Sequence, residues 1–166
     1  MPARVRVGQL FAVGVPASGL GNAGAVIAAN GPGGVFLTGR STAGASTVTE
    51  LTAEVQRAGK TASGGVGLFV ATDQEGGQVQ VLSGPGFSTI PSAAVQGGWS
   101  PSKLQTAATG WGQQLHAAGI NVDLAPSVTC YPQRWGPRTP PSAGMTVPMA
   151  PIRRPWLSML SLSSVA

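Results

Sequence analysis

At 166 residues, with 9% charged side chains and 25 glycines, the chain is long enough for one domain with a core and unlike a charge-rich disordered segment or a coiled coil. Its net charge of +5 is unevenly placed: the five acids (Glu50, Glu54, Asp73, Glu75, Asp123) are nearly balanced by six basic residues up to position 123, while Arg134, Arg138, Arg153 and Arg154 follow, so a general nucleic-acid surface is not supported. A single cysteine, Cys130, and a single histidine, His116, exclude an internal disulfide and multi-cysteine or histidine-rich metal sites, and no run of about 20 apolar residues is present to span a membrane.

In chain order, the opening MPARVRVGQLF carries two arginines but no signal-peptide core or cleavage site, which places the chain as written in the cytoplasm. Residues 7–15 (VGQLFAVGV) predict a first strand, and 16–22 are turn chemistry. Residues 23–30 predict a short alanine-rich helix stopped by Asn30-Gly31-Pro32, and 34–38 (GVFLT) a second, buried strand. Thr47-Val48-Thr49-Glu50 reads as a capping box, in which hydroxyl and carboxylate each satisfy an orphan amide. The helix it opens aligns Val48, Leu51, Val55 and Ala58 and is stopped by Gly59. Residues 67–72 predict a third strand, and 83–98 a long loop rich in Gly, Pro and Ser. Ser100-Pro101 is an N-cap with proline at the first helical position, for a helix aligning Leu104, Ala108, Trp111, Leu115 and Ala118 and ending at Gly119. Residues 120–125 (INVDLA) predict a fourth strand. The order β-α-β-α-β-loop-α-β at crossover lengths means an α/β fold, a parallel sheet with covering helices.

The third strand runs into Asp73, Gln74 and Glu75, followed at once by Gly76-Gly77. Ligands bind at the C-terminal edge of parallel sheets, which makes Asp73 and Glu75 the candidate binding carboxylates. The competing reading is that they only cap a turn or pair with a neighbour, because turns favour Asp and Gly for local reasons.

The stretches GGVFL (33–37), FVATDQEGGQVQ (69–80), Ile90-Pro91 and GINVDLAP (119–126), in this order and spacing, resemble the N-terminal catalytic domain of family 3 glycoside hydrolases, especially the bacterial β-N-acetylhexosaminidase branch. The resemblance implies a TIM (β/α)8 barrel, of which this chain carries the first half, about four βα units, in residues 1–126, since a whole barrel takes about 250 residues. It implies that Asp73 hydrogen-bonds hydroxyls of a terminal sugar and that Glu75, with the turn and the loop 83–98, shapes the mouth. Two positions depart from the family: Gln78 and Val81 stand where arginines are common, and Val81 cannot offer a charged fork to a sugar.

The resemblance also implies a retaining mechanism, with an aspartate nucleophile and a His-Asp acid/base, both beyond the fourth strand together with a substrate-binding Lys-His pair. None of those segments is recognisable in this sequence. His116, in mid-helix, reads as a helix-surface residue, and Cys130 has no partner for a nucleophilic role. The fragment itself is therefore expected to be inactive, with no catalytic residue, metal or cofactor of its own. The alternative is a non-catalytic sugar-binding or interaction module with a basic tail. Its expected partner is an N-acetylhexosamine-containing glycan rather than nucleic acid or membrane, and its unpaired barrel edges imply self-association.

Residues 127–166 form an irregular, basic, Pro-rich tail with no acid. Gly144–Ala150 must be encoded GGN-ATG-ACN-GTN-CCN-ATG-GCN, and reading from the third base of each codon gives NAT-GAC-NGT-NCC-NAT-GGC, which permits Tyr-Asp-Arg-Thr-Tyr-Gly. Continuing through Pro155 permits Ser-Asp-Pro-Pro-Thr. The family carries an Arg-x-Tyr/Phe-Gly-x-Asp-Pro segment here, so the reading expects a one-nucleotide deletion near the codon for Pro126 and an out-of-frame tail. The rival is a natural basic tail that binds an acidic partner.

Overall fold

The computed structural model describes residues 1–126; the tail 127–166, with Cys130, lies outside the described residues. Four parallel strands form one sheet in the order β1 (Ala12–Pro16), β2 (Gly34–Thr38), β3 (Phe69–Thr72) and β6 (Val122–Asp123), with a small antiparallel hairpin of β4 (Gln74–Gly76) and β5 (Val79–Gln80). Five helices connect or precede them: α1 (Ala3–Gly8), α2 (Ala23–Asn30), α3 (Ala45–Ser63), α4 (Ala93–Gln96) and α5 (Pro101–Ala117). Sequential strand order with helical crossovers is the pattern of a (β/α) barrel. None of the described helices is long and apolar enough to cross a membrane.

Strand alternation divides the sheet into two faces. Val15, Val35, Leu37, Val70 and Thr72 share the face covered by helices, and each is fully buried. The four aliphatic ones meet Ile27 of α2, Val48, Leu51 and Val55 of α3 and Leu115 near the end of α5, forming one core. The opposite face carries Phe36, Phe69, Ala71 and Val122 by register, and Phe69 is 68% exposed. That face is the one a complete barrel turns inward.

Elements α2 and β2 match expectation to the residue; the third strand starts at Phe69 rather than at 67, and others differ more. Residues 7–11 are not strand: α1 occupies 3–8, and β1 begins only at Ala12. The end of α1 tucks under the β2 entry, where the Gln9 side chain donates to the carbonyls of Gly31 and Pro32 and the Gly33 amide donates to the carbonyls of Gly8 and Phe11. The capping box is unused. Helix α3 starts two residues earlier than Thr47, after Gly44, because the amides of Gly44 and Ala45 donate to the carbonyls of Ser83 and Pro85. Nor does Gly59 stop α3. A Cβ there would lie 2.4 Å from the Leu68 side chain, so the glycine gives strand β3's approach room to pack, and the left-handed Gly64 ends the helix. The fourth strand pairs only over Val122–Asp123, shorter than 120–125. The N-cap of α5 is as expected: Ser100 Oγ accepts the amide of Lys103, with Pro101 next.

Candidate functional site

Asp73 follows the last residue of β3, and Glu75 sits in the middle of β4; both are half-buried at the C-terminal edge of the sheet. The hairpin that carries them is held from every side. Gln74 is buried, and its side chain donates to the carbonyl of Leu82 at 2.8 Å and accepts the amide of Leu82 at 3.0 Å, closing the hairpin on itself. The backbone amide of Val81 donates to the carbonyl of Asp73. Arg40, just past β2, donates from Nη2 to the carbonyl of Gln78. Gln96 of α4 donates to the carbonyl of Glu75 at 2.9 Å, and Gly77 donates to the carbonyl of Ile90. The loop 83–98 thus lies against the acidic turn, as expected, though it contains α4.

Gly76 and Gly77 have φ of +94° and +61°. A Cβ on Gly76 would stand 2.3 Å from the Pro91 carbonyl oxygen, so both the backbone angle and the close approach of the loop require glycine.

The third carboxylate, Asp123, arrives from the adjacent strand, in register with Thr72. Its Oδ1 accepts the backbone amide of Gln74 at 3.0 Å. Loss of water pushes its carboxyl up to about 6, aided by the charges of Asp73 and Glu75 and opposed by the Gln74 amide. Desolvation, and then the charge of Glu75, also raise Asp73 above the ordinary carboxylate range. Three acids therefore share one electrostatic neighbourhood at the sheet edge. Asp123 acts as a brace for the turn, in keeping with a structural role under the mouth.

Of the other sequence candidates, His116 lines a groove that also reaches Glu75 and Asp123, and Val81 points to the core. His116 is exposed on α5. Val81 is half-buried against the core and offers no polar group. A groove of about 670 Å³ runs between α5 and the free edge of β6, lined in part by Leu104, Trp111, Leu115 and Ile120, with Glu75 and Asp123 at one end. Glu75 and Gln96 line it and Asp73 does not, so the groove opens directly beside the acidic turn. The described residues contain no group of His, Cys, Asp and Glu fit to hold a metal ion. Arg40 and Gln96 were not singled out from sequence; the only signal was a polar residue directly after Gly39 at a strand's C-terminal end.

Comparison with known proteins places this geometry. The profile of the Glycosyl hydrolase family 3 N terminal domain matches residues 3–146, which extends past Pro126 into the residues not described. The chain is 49% identical to a β-N-acetylhexosaminidase from Beutenbergia cavernae over 76% of its own length and 38% of that protein's, with a TM-score of 0.73. A glycoside hydrolase family 3 β-N-acetylglucosaminidase from Paenibacillus sp. is 31% identical over 76% of this chain and 24% of that one, with a TM-score of 0.67. NagZ from Neisseria gonorrhoeae, solved in complex with N-trifluoroacetyl-D-glucosamine, is 26% identical over 70% of this chain and 35% of that one, with a TM-score of 0.56. No curated protein matches the chain. The chain spans well under half the length of the solved relatives it matches. It belongs to glycosyl hydrolase family 3, and its four parallel strands are part of that family's TIM-barrel-like N-terminal domain.

Proposed function

We propose that this chain binds a terminal N-acetylhexosamine through Asp73, with Glu75 and the loop 83–98 shaping the mouth, and that the 166-residue polypeptide does not cleave the glycosidic bond. The observation that carries the reading is the bracing of the Asp73–Gly77 turn by Gln74, Asp123, Arg40 and Gln96, which fixes a half-buried carboxylate at a barrel mouth. A carboxylate held on a rigid turn accepts sugar hydroxyls without first being ordered, and so binds at lower entropic cost.

Cleavage needs two groups flanking the anomeric carbon, roughly 5 Å apart in a retaining enzyme and farther in an inverting one. Asp73 and Glu75 sit on one turn, and Asp123 is engaged beneath it. No Asp, Glu or His follows Asp123 in the sequence. The activities of the similar β-N-acetylhexosaminidase and β-N-acetylglucosaminidase support the sugar class, a β-linked N-acetylhexosaminide. Calorimetric titration with N-acetylglucosamine tests the reading: saturable binding that is lost in Asp73→Ala supports it, and equal binding by both proteins refutes it.

A further inference from the structure

The loop 83–98 walls one side of the acidic turn, yet of its residues only Ile90 and Gln96 are buried. A loop with so few buried apolar contacts opens locally unless hydrogen bonds hold it. Three glutamines from three elements supply those bonds. Gln114 of α5 accepts the Ser88 amide through Oε1 and donates from Nε2 to Ser88 Oγ, both at 2.8 Å. Gln80 of β5 donates to the Ser88 carbonyl at 2.9 Å and accepts the Ile90 amide at 3.0 Å. Gln96 donates to the carbonyls of Pro91 and Glu75. The Ile90 carbonyl in turn accepts the amide of Gly77 at 2.8 Å. The amide, carbonyl and hydroxyl of Ser88 are thus all engaged. One continuous chain of bonds runs from α5 through Ser88, Gln80 and Ile90 to Gly77 in the acidic turn.

We propose that Gln114 is a positioning residue: by holding Ser88 it makes the segment 87–91 and the Asp73–Gly77 turn open and close as one unit. This coupling needs no sugar. Its consequence, that Gln114 sets the affinity of a turn its side chain reaches only through Ser88, rests on the sugar-binding reading above. Such coupling is reciprocal: a ligand that orders the turn tightens Ser88, and a change that frees Ser88 weakens the ligand. The side-chain amides differ in what they require. A glutamate at 114 keeps both bonds, because its oxygens accept from the Ser88 amide and from the Ser88 hydroxyl, which then donates. A glutamate at 80 does not, because both partners of Gln80 Nε2, the Leu82 and Ser88 carbonyls, are acceptors only.

The test is amide hydrogen exchange, read residue by residue from ¹H–¹⁵N spectra of the full 166-residue chain, first without sugar. Gln114→Ala, a substitution that suits a helix, is expected to speed exchange at Gly77 about tenfold, the loss of roughly one net hydrogen bond. Gln80→Glu is expected to do the same at neutral pH. Gln114→Glu is expected to keep the parent rate, and strand β2 to stay protected in all three variants. A brace with only a local role would expose Ser88 and leave Gly77 unmoved. N-acetylglucosamine is then added. Saturating sugar is expected to slow exchange at Ser88 in the parent. Gln114→Ala is expected to raise Kd about fivefold, and Gln114→Glu to restore it. An unchanged Gly77 rate in Gln114→Ala, or a Gln114→Glu protein as impaired as Gln114→Ala, would overturn the proposal. Sugar that moves no rate in the parent, while Gly77 responds to the variants as expected, supports the coupling and refutes sugar binding instead.

Discussion

Asp123 Oδ1 accepts the backbone N–H of Gln74 at 3.0 Å, so the end of one strand holds the turn that starts on its neighbour directly after Asp73. That bond has a titratable acceptor. Because the fold raises Asp123 above its unfolded value, the folded state holds the proton more tightly than the unfolded chain does. The contribution to stability is therefore fully present below the ordinary value of 3.8 and is lost as pH rises through about 6. Asn at this position keeps the acceptor oxygen and removes the charge. Asp123→Asn should show a smaller fall in Tm than the parent between pH 4 and 7, and an equal or higher Tm at pH 7. The carboxyl sits at the sheet edge, only partly shielded from water, so screening keeps the gap to a few degrees. Parallel Tm curves for the two proteins would refute this.

Gln74 closes the hairpin from inside. In Gln74→Leu the Leu82 carbonyl keeps a partner in the Gln80 side chain, but the Leu82 amide is left buried and unbonded. One orphaned buried amide costs about 1–3 kcal/mol, so urea denaturation should show a loss of ~2 kcal/mol. A change under 0.5 kcal/mol would mean that the hairpin does not depend on this side chain.

Two glycines of positive φ separate strain from crowding. Gly39 (φ +77°) has open space around a would-be Cβ, whereas Gly76 (φ +94°) has the Pro91 carbonyl at 2.3 Å. Gly39→Ala should cost only the backbone strain, about 1–2 kcal/mol. Gly76→Ala must also push the loop 90–91 away and should cost roughly 3 kcal/mol or more, read from the same urea curves. Equal losses at the two sites would show that the loop does not press on the turn.

The 166-residue chain should give no turnover of a chromogenic β-N-acetylglucosaminide. Losing a single member of a catalytic set commonly removes on the order of 10⁴-fold in rate, and here one turn supplies every carboxylate at the site apart from its brace. Activity that survives purification and vanishes in Asp73→Asn would overturn this. Resequencing the gene tests the expected frameshift: a missing nucleotide near the codon for Pro126 is the expected finding, and an unbroken frame, with which the family profile's match through residue 146 agrees, would refute it.

Much of the fold was legible because its signals were local. β2 at 34–38 and α2 at 23–30 follow from an apolar run and an Asn-Gly-Pro stop, and α5 from Ser100-Pro101. The misreadings come from contacts between distant residues. Thr47 and Glu50 have the spacing of a capping box, yet the carbonyls of Ser83 and Pro85 reach the helix start first. Gly59 looks like a stop and is instead a gap for Leu68. Val7 looks like strand, but α1 turns it outward, 56% exposed, and buries Val5. At the site, Asp73 and Glu75 were readable as a strand end meeting a Gly-Gly turn. Their braces were not: Arg40 is 38 residues from Gln78 and Asp123 is 49 from Gln74, and only the parallel register brings them together.

Sugar binding through Asp73 underlies the proposed function. The most direct measurement is a ¹H–¹⁵N amide spectrum of the 166-residue chain titrated with N-acetylglucosamine to millimolar concentration. Saturable shifts are expected at Gln74–Gly77 and the loop 83–98, abolished in Asp73→Ala while the rest of the spectrum is unchanged. No shifts at millimolar sugar, or the same shifts in Asp73→Ala, would contradict it.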